Sequence, residues 1–116
     1  MVLPGSGSDE VFVRAAFGGP LRAVGVRLVA PEPRRDAEVV RGHLAALDAA
    51  LERADRPLLV GGVSLGAHLA ARWAAHVDPR RLAGLLLALP AWTGAPAPDE
   101  PAALAARLTA DRVRRG

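Results

Sequence analysis

Hydrophobic and polar positions divide this chain into segments of strand length and segments with helical spacing. Short apolar or alternating segments predict four strands, at residues 2–3, 23–30, 58–61 and 82–89. Elsewhere apolar residues recur at three- and four-residue steps, as they do along one face of an amphipathic helix. This spacing predicts helices near residues 9–17, 36–54, 65–77 and 99–115. The pattern therefore alternates between strand and helix along the whole chain.

Two boundaries depend on specific local signals. Ser6 and Asp9 form an S-x-x-D signature, which predicts that the first helix begins there, with Val11, Phe12, Ala15 and Ala16 on its apolar face. Gly-Gly-Pro at 18–20 predicts its end, because glycine and proline disfavour a helix interior.

Residues 82–89 are continuously apolar, which is typical of a strand covered on both faces.

The alternation of strands and helices indicates an α/β fold, a three-layer α-β-α sandwich with about four parallel strands. We expect a single domain over residues 1–116. In such sheets, sites form beyond the carboxyl ends of the strands, where the strand order reverses. The loops at 4–8 and 61–65 have site-like residues and meet if the first and third strands are neighbours. The predicted strand order is therefore second, first, third, fourth.

Composition and charge exclude several classes of function. The 116 residues carry a net charge of only +3, and aromatic residues make up 3%. Acidic residues are interleaved with the arginines, so we interpret the arginines as a solvated surface and expect no nucleic-acid partner. No apolar segment has the length of a membrane span, and Met1 is not followed by a secretory signal, so we expect a cytoplasmic protein. Without cysteine there is no thiol metal site, and we expect neither metal nor cofactor.

The most informative motif is G-x-S-x-G at Gly62, Ser64 and Gly66, between a predicted strand and a predicted helix. A serine at such a turn has its hydroxyl lifted above the sheet, where a carbonyl substrate can reach it. Glycine on either side leaves room for the tight turn. The alternative is a glycine-rich βα turn whose serine only caps the helix.

These residues resemble the α/β-hydrolase family, over residues 2 to about 92. Residues 3–8, Leu-Pro-Gly-Ser-Gly-Ser, are similar to the family's oxyanion loop, with Pro4 where histidine is frequent. Residues 62–66 match its nucleophile elbow, and residues 78–85 look like the entry into its sixth strand. The resemblance implies a partial α/β-hydrolase fold and a serine hydrolase acting on a small ester, thioester or related acyl substrate. Ser64 would be the nucleophile, and the backbone N–H groups of Ser6 and Leu65 would form the oxyanion hole.

The general base and its acid are not evident. The family places both after later strands, and this sequence ends before either, so the chain looks like a truncated hydrolase. His68, four residues after Ser64, is either a substitute base or a surface histidine. His43 and His76 cannot be placed near Ser64. A serine without a base is a weak nucleophile, so we expect the isolated chain to be impaired or inactive.

Two other functions stay open. The first is a non-catalytic binding or interaction module derived from the same fold. The second is dinucleotide binding, which is weaker because Gly5-Ser6-Gly7 lacks the third glycine of the fingerprint. The strand at 82–89 has no strand after it, so we also expect self-association through an open sheet edge.

Overall fold

The computed structural model describes residues 1–34, 38–90, 110–111 and 114–115. The predicted last helix, near 99–115, lies largely outside the described residues. The elements, in chain order, are β1 (Val2–Leu3), α1 (Glu10–Ala23), α2 (Val39–Arg53), β2 (Leu58–Val63), α3 (Leu65–Ala74), a 3₁₀ turn (Pro79–Arg81) and β3 (Leu82–Ala88).

The sheet is parallel and open, with the strand order β1-β2-β3. Gly61 of β2 pairs with Val2 on one side and with Leu86 on the other. This order agrees with the sequence-based prediction for the first, third and fourth predicted strands. The chain is thus confirmed as α/β, with three parallel strands in the described part.

Helices cover both faces of the sheet. On one face, Leu3 and Val60 pack with Leu47 of α2 and with residues of α3 that include Leu69 and Trp73. On the other face, Val2 packs with Val13 of α1 and with Ala30. The two helices on the first face are joined by a hydrogen bond from Trp73 Nε1 to Asp48 Oδ1, at 2.8 Å.

The strand predicted at residues 23–30 is wrong. Ala23 is the last residue of α1, a turn follows at 24–25, and residues 26–30 form no regular element. The Val2 N–H nevertheless donates to the carbonyl oxygen of Val29, at 3.1 Å. Because Met1 O accepts from the Gly61 N–H at 2.9 Å, the segment 26–30 lies on the side of β1 away from β2. This segment lies beside β1, where the second strand was predicted, but it does not form a strand.

The predicted end of α1 is also wrong, since the helix continues through 18–20 to Ala23, with Pro20 inside it. The reason is tertiary packing: Val13, Phe17 and Leu21, spaced four residues apart, form the face that packs against the sheet. The face predicted from the sequence is largely exposed, with Val11 at 65% and Phe12 at 50%. The helix starts near the predicted position, at Glu10, but the cap is Asp9 rather than the Ser6 of the S-x-x-D signature: Phe12 N donates to Asp9 Oδ1, at 3.0 Å.

β3 is not covered on both faces, contrary to the prediction. Leu85 and Leu87 are 45% and 40% exposed. Their register partners are Val60 and Gly62, so both side chains point to the face that carries α3. α3 leaves these two leucines partly uncovered.

None of the helices in the described part of the chain combines the length and the hydropathy that a membrane span requires.

Candidate functional site

Ser64 occupies the sharp turn between β2 and α3 and has a strained backbone. Its φ is 53° and its ψ is −113°. A positive φ is rare for residues other than glycine, and strain of this kind typically costs 1–3 kcal/mol and concentrates at functional sites. The predicted strand-to-helix elbow with unfavourable backbone angles is confirmed.

Gly62 and Gly66 are required by close backbone contacts. A Cβ on Gly66 would lie 2.5 Å from the carbonyl oxygen of Leu3 and 2.6 Å from that of Pro4. A Cβ on Gly62 would overlap the carbonyl carbon of Gly66. The elbow therefore packs directly on the end of β1, and any side chain at these positions would push the turn away from it.

The loop that follows β1 lies beside Ser64, as predicted. A Cβ on Gly5 would be 3.3 Å from the Cβ of Ser64 and 3.2 Å from the carbonyl oxygen of Val63. Between the loop and the elbow is an open cavity of about 490 Å³. The described residues that line it are Gly5, Ser6, Gly7, Ser8, Asp9, Phe12, Val63 and Ser64. The juxtaposition brings the predicted nucleophile and the predicted oxyanion loop to one site.

The Ser64 hydroxyl does not cap α3, since it makes no capping hydrogen bond. The alternative interpretation of this serine as a simple helix cap is therefore wrong. The first intrahelical bond of α3 runs from His68 N to Ser64 O, at 3.1 Å. The N–H groups of the first three helical residues, Leu65 among them, consequently have no partner within the helix, and the positive end of its dipole lies at the cavity.

Of the two predicted oxyanion donors, Leu65 is the first residue of α3 and is 2% exposed. Ser6 lies in the lining of the cavity. The structure thus brings both residues to the elbow, from two separate βα loops. The convergence of their N–H groups on one point stays a prediction.

The three histidines are in different environments. His68 lies one turn along α3 from Ser64, and its pKa is lowered by partial burial and by the positive charge of Arg72. Burial also lowers the pKa of His43 on α2, which is 2% exposed and whose Nε2 has no hydrogen-bond partner among the residues that the structure describes. His76 is exposed beyond the end of α3. Among the described residues, no hydrogen bond joins Ser64 to a histidine ring, and no cluster of His, Asp or Glu could hold a metal ion.

Sequence reasoning missed Asp9 and Phe12 as cavity residues. It assigned them to a helix start and to a buried face, whereas both line the cavity beside Ser64. The signal was present, because the first turn of a helix that follows a site loop necessarily borders that loop. Of the described residues in the lining, Asp9 is the one with a charge and Phe12 is the one with an aromatic side chain.

Comparison with protein-family models, with curated proteins and with solved structures found no match to this chain.

Proposed function

We propose that this chain is an α/β-hydrolase-like serine hydrolase that acts on an ester, thioester or related acyl substrate. The observation that carries the proposal is the strained Ser64, between two glycines that accept no side chain. The Ser64 hydroxyl does not cap α3, and the Ser64 backbone stays in a strained conformation. Formation of the fold alone does not require such a residue. A reactive hydroxyl at the mouth of a cavity accounts for it.

The chemistry follows from the position of Ser64. Its Oγ bonds to the acyl carbon and releases the hydroxyl proton to water, and the carbonyl oxygen of the tetrahedral intermediate acquires negative charge. Collapse breaks the bond to the leaving oxygen or sulfur, which takes a proton from water and departs as the alcohol or thiol, while the acyl group stays on Ser64. A second water then attacks the acyl carbon, the acid is released, and Ser64 Oγ regains its proton. The N–H groups of Leu65 and Ser6 stabilise the negative oxygen in the proposal, and one such donor is typically worth about 3–4 kcal/mol.

The partial α/β-hydrolase fold belongs to the same proposal. Its support is the order β1-β2-β3 with the elbow on the central strand. The segment 26–30, hydrogen-bonded to β1 through Val29, has the place of a further strand.

Slow turnover is part of the proposal, because no histidine ring is hydrogen-bonded to Ser64 among the described residues. Removing the nucleophile or the base typically costs about 2 × 10⁶ in turnover. Without the base, the oxyanion hole and substrate binding still supply roughly 10³–10⁴-fold over water. His68 is the first residue to test as a substitute base, since it is one helical turn from Ser64.

The cavity favours a substrate with an apolar portion. Phe12 lines the cavity and is 50% exposed, so it offers an apolar surface for an alkyl group. An ester or thioester with a small apolar acyl group satisfies this feature.

A fluorophosphonate probe tests the proposal, since it phosphonylates activated serines. We expect slow labelling that maps to Ser64 and disappears in Ser64→Ala. Ser8→Ala is the matched control, since Ser8 lines the same cavity, and it should label like the unmodified chain. Labelling that persists in Ser64→Ala would overturn the assignment of the nucleophile.

A non-catalytic interaction module is the second candidate function. The observation that favours it is the exposure of Leu85 and Leu87 on one face of β3. If this is the function, charge introduced at Leu87 abolishes association, whereas Ser64→Ala has no effect on any binding. Loss of probe labelling with Ser64→Ala separates the two functions.

A further inference from the structure

We propose that a second cavity, with a different lining from that of the Ser64 cavity, binds the phosphate group of a small anionic ligand. This cavity has a volume of about 470 Å³ and is formed by α1 and the segment after it, with this lining: Arg14, Gly18, Arg22, Gly25, Val26, Arg27 and Leu28. It shares no residue with the lining of the Ser64 cavity. We refer to it as the arginine cavity.

The helix supplies two of the three arginines. Arg14, Gly18 and Arg22 are four residues apart, so they lie on one face of α1. A Cβ on Gly18 would meet only the side chain of Leu28, at 3.9 Å. The missing side chain at Gly18 therefore leaves an open space between the two arginines. Because the sequence predicted the end of α1 at residues 18–20, the common face of Arg14, Gly18 and Arg22 is apparent only from the structure.

The third arginine comes from the turn after α1. Gly25 has a φ of 78°, which glycine adopts readily, and the chain reverses there. Arg27 follows two residues later and lies in the same lining as Arg14 and Arg22. The arginines therefore approach one cavity from two directions.

The positive charge of the arginine cavity is not neutralised within the described part of the chain. The lining contains no acidic residue, and none of the three arginines has an ion-pair partner among the described residues. Arg14 makes one long hydrogen bond, from Nη2 to the carbonyl oxygen of Ala30, at 3.5 Å. Arg22 is in the last turn of α1, where the helix dipole contributes about half a negative charge, much less than the three positive charges. A bound anion would relieve the remaining repulsion.

The residue types favour phosphate. A guanidinium group presents a planar set of donors that matches phosphate oxygens in a bidentate manner. The described residues of the lining include no aromatic side chain on which a base could stack. Recognition would therefore rest on the phosphate itself, and a cavity of about 470 Å³ is in the range for small-molecule ligands.

Isothermal titration of the full chain with inorganic diphosphate, at constant ionic strength, tests the proposal. We expect saturable binding that weakens about tenfold in Arg22→Gln and in Arg27→Gln, since each removes a charge-assisted contact. Arg41→Gln is the control, because Arg41 is exposed on α2 and paired with Glu38 at 3.1 Å. Absence of saturable binding, or an equal loss in Arg41→Gln, would overturn the proposal.

Two substitutions of Gly18 distinguish an effect of charge on binding from an effect on folding. Gly18→Glu and Gly18→Gln have nearly the same shape and both suit a helix better than glycine. We expect Gly18→Glu to bind diphosphate far more weakly than Gly18→Gln, with circular dichroism unchanged in both. Equal affinities in two folded variants would contradict the site.

The phosphate could be carried by a soluble molecule or by a lipid headgroup. Sedimentation with phosphatidylcholine vesicles that contain phosphatidic acid distinguishes the two sources. Binding of free diphosphate without cosedimentation supports a soluble ligand. Cosedimentation that free diphosphate abolishes supports a headgroup in the same cavity, and cosedimentation that diphosphate leaves intact contradicts the proposal.

Discussion

The backbone N–H of Ser64 donates to the carbonyl oxygen of Ala88, at 3.0 Å. The bond continues the pairing of Val63 with Ala88, so β3 holds the elbow one residue beyond the end of β2. The carbonyl oxygen of Ser64 accepts from His68 N. Both backbone polar groups of the strained residue are therefore used, one by the sheet and one by α3. This explains how a serine is kept at a φ that it would otherwise leave.

Replacement of Ser64 by glycine should stabilise the chain relative to alanine at the same position. Glycine adopts positive φ at little cost, whereas alanine retains the strain. We expect Ser64→Gly to be more stable than Ser64→Ala by about 1–2 kcal/mol. Urea unfolding followed by circular dichroism measures the difference. Equal midpoints with equal slopes would show that the turn is not strained.

Alanine at Gly66 should be strongly destabilising, because its Cβ would meet two backbone oxygens that cannot move independently of β1. We expect a loss of about 3 kcal/mol or more. Gly19→Ala is the matched control, since nothing lies within 4 Å of a Cβ there, and it should stabilise the chain by about 0.5–1 kcal/mol. If Gly66→Ala does not fold, Gly5→Ala, with contacts of 3.2–3.3 Å, should show a smaller loss. Tolerance of both substitutions would contradict the packing of the elbow.

Stability should decrease as the pH falls below the ordinary His pKa of 6.5, because burial lowers the pKa of His43 in the folded chain. The unfolded chain then binds a proton that the folded chain resists, so protonation favours unfolding. His68 contributes in the same direction. We expect His43→Leu to flatten the dependence of unfolding free energy on pH between about 7.5 and about 5. A slope that persists fully in His43→Leu would contradict the prediction.

Phe12 should affect reactivity toward probes with an apolar chain. Burial of its exposed half under an alkyl group is worth about 1 kcal/mol, or about fivefold in the second-order labelling rate. We therefore expect Phe12→Ala to slow labelling by an alkyl fluorophosphonate by about this factor. Val11→Ala is the control, because Val11 is exposed on the same helix and is not in the lining. If both variants slowed labelling equally, Phe12 would not contact the bound probe.

Association through the edge of β3 should depend on Leu87. The strand has no partner on its outer side among the described residues, and its seven residues carry no charge. Such edges tend to pair with other chains. By light scattering we expect concentration-dependent association that Leu87→Lys reverses and Val11→Lys does not. A monomer at all concentrations would contradict this expectation.

The sequence predicted β1, β2, β3, α2 and α3 because their hydrophobic periods agree with their local start and stop signals. It failed at α1, where the two kinds of signal disagree. Gly-Gly-Pro predicts a stop, but the spacing of Val13, Phe17 and Leu21 continues across it, and packing against Val2 and Ala30 prevailed. Once α1 extends to Ala23 and a turn occupies 24–25, the second predicted strand is shortened to residues 26–30, which are hydrogen-bonded to β1 through Val29 without forming a strand.

The sequence predicted the part of the candidate site that is determined by the backbone turn at Ser64. Gly62, Ser64 and Gly66 have a fixed spacing that only a tight turn explains. The arginine cavity was not predictable in the same way, because Arg14, Arg22 and Arg27 are scattered through the sequence and converge only when the helix and the turn at Gly25 are known. Side chains that meet through tertiary structure leave no local pattern.

The course of α1 through two glycines and a proline has a consequence for hydrogen exchange. Relative to alanine, these residues cost a helix about 5 kcal/mol in intrinsic propensity, and Pro20 cannot donate to the carbonyl of Ala16. The second half of α1 should therefore open locally before the rest of the chain unfolds, and its amides should exchange early. The arginine cavity is built on this half, so a bound anion would order it. Slower exchange over residues 18–28 would then report occupancy of the cavity without any change in the sheet.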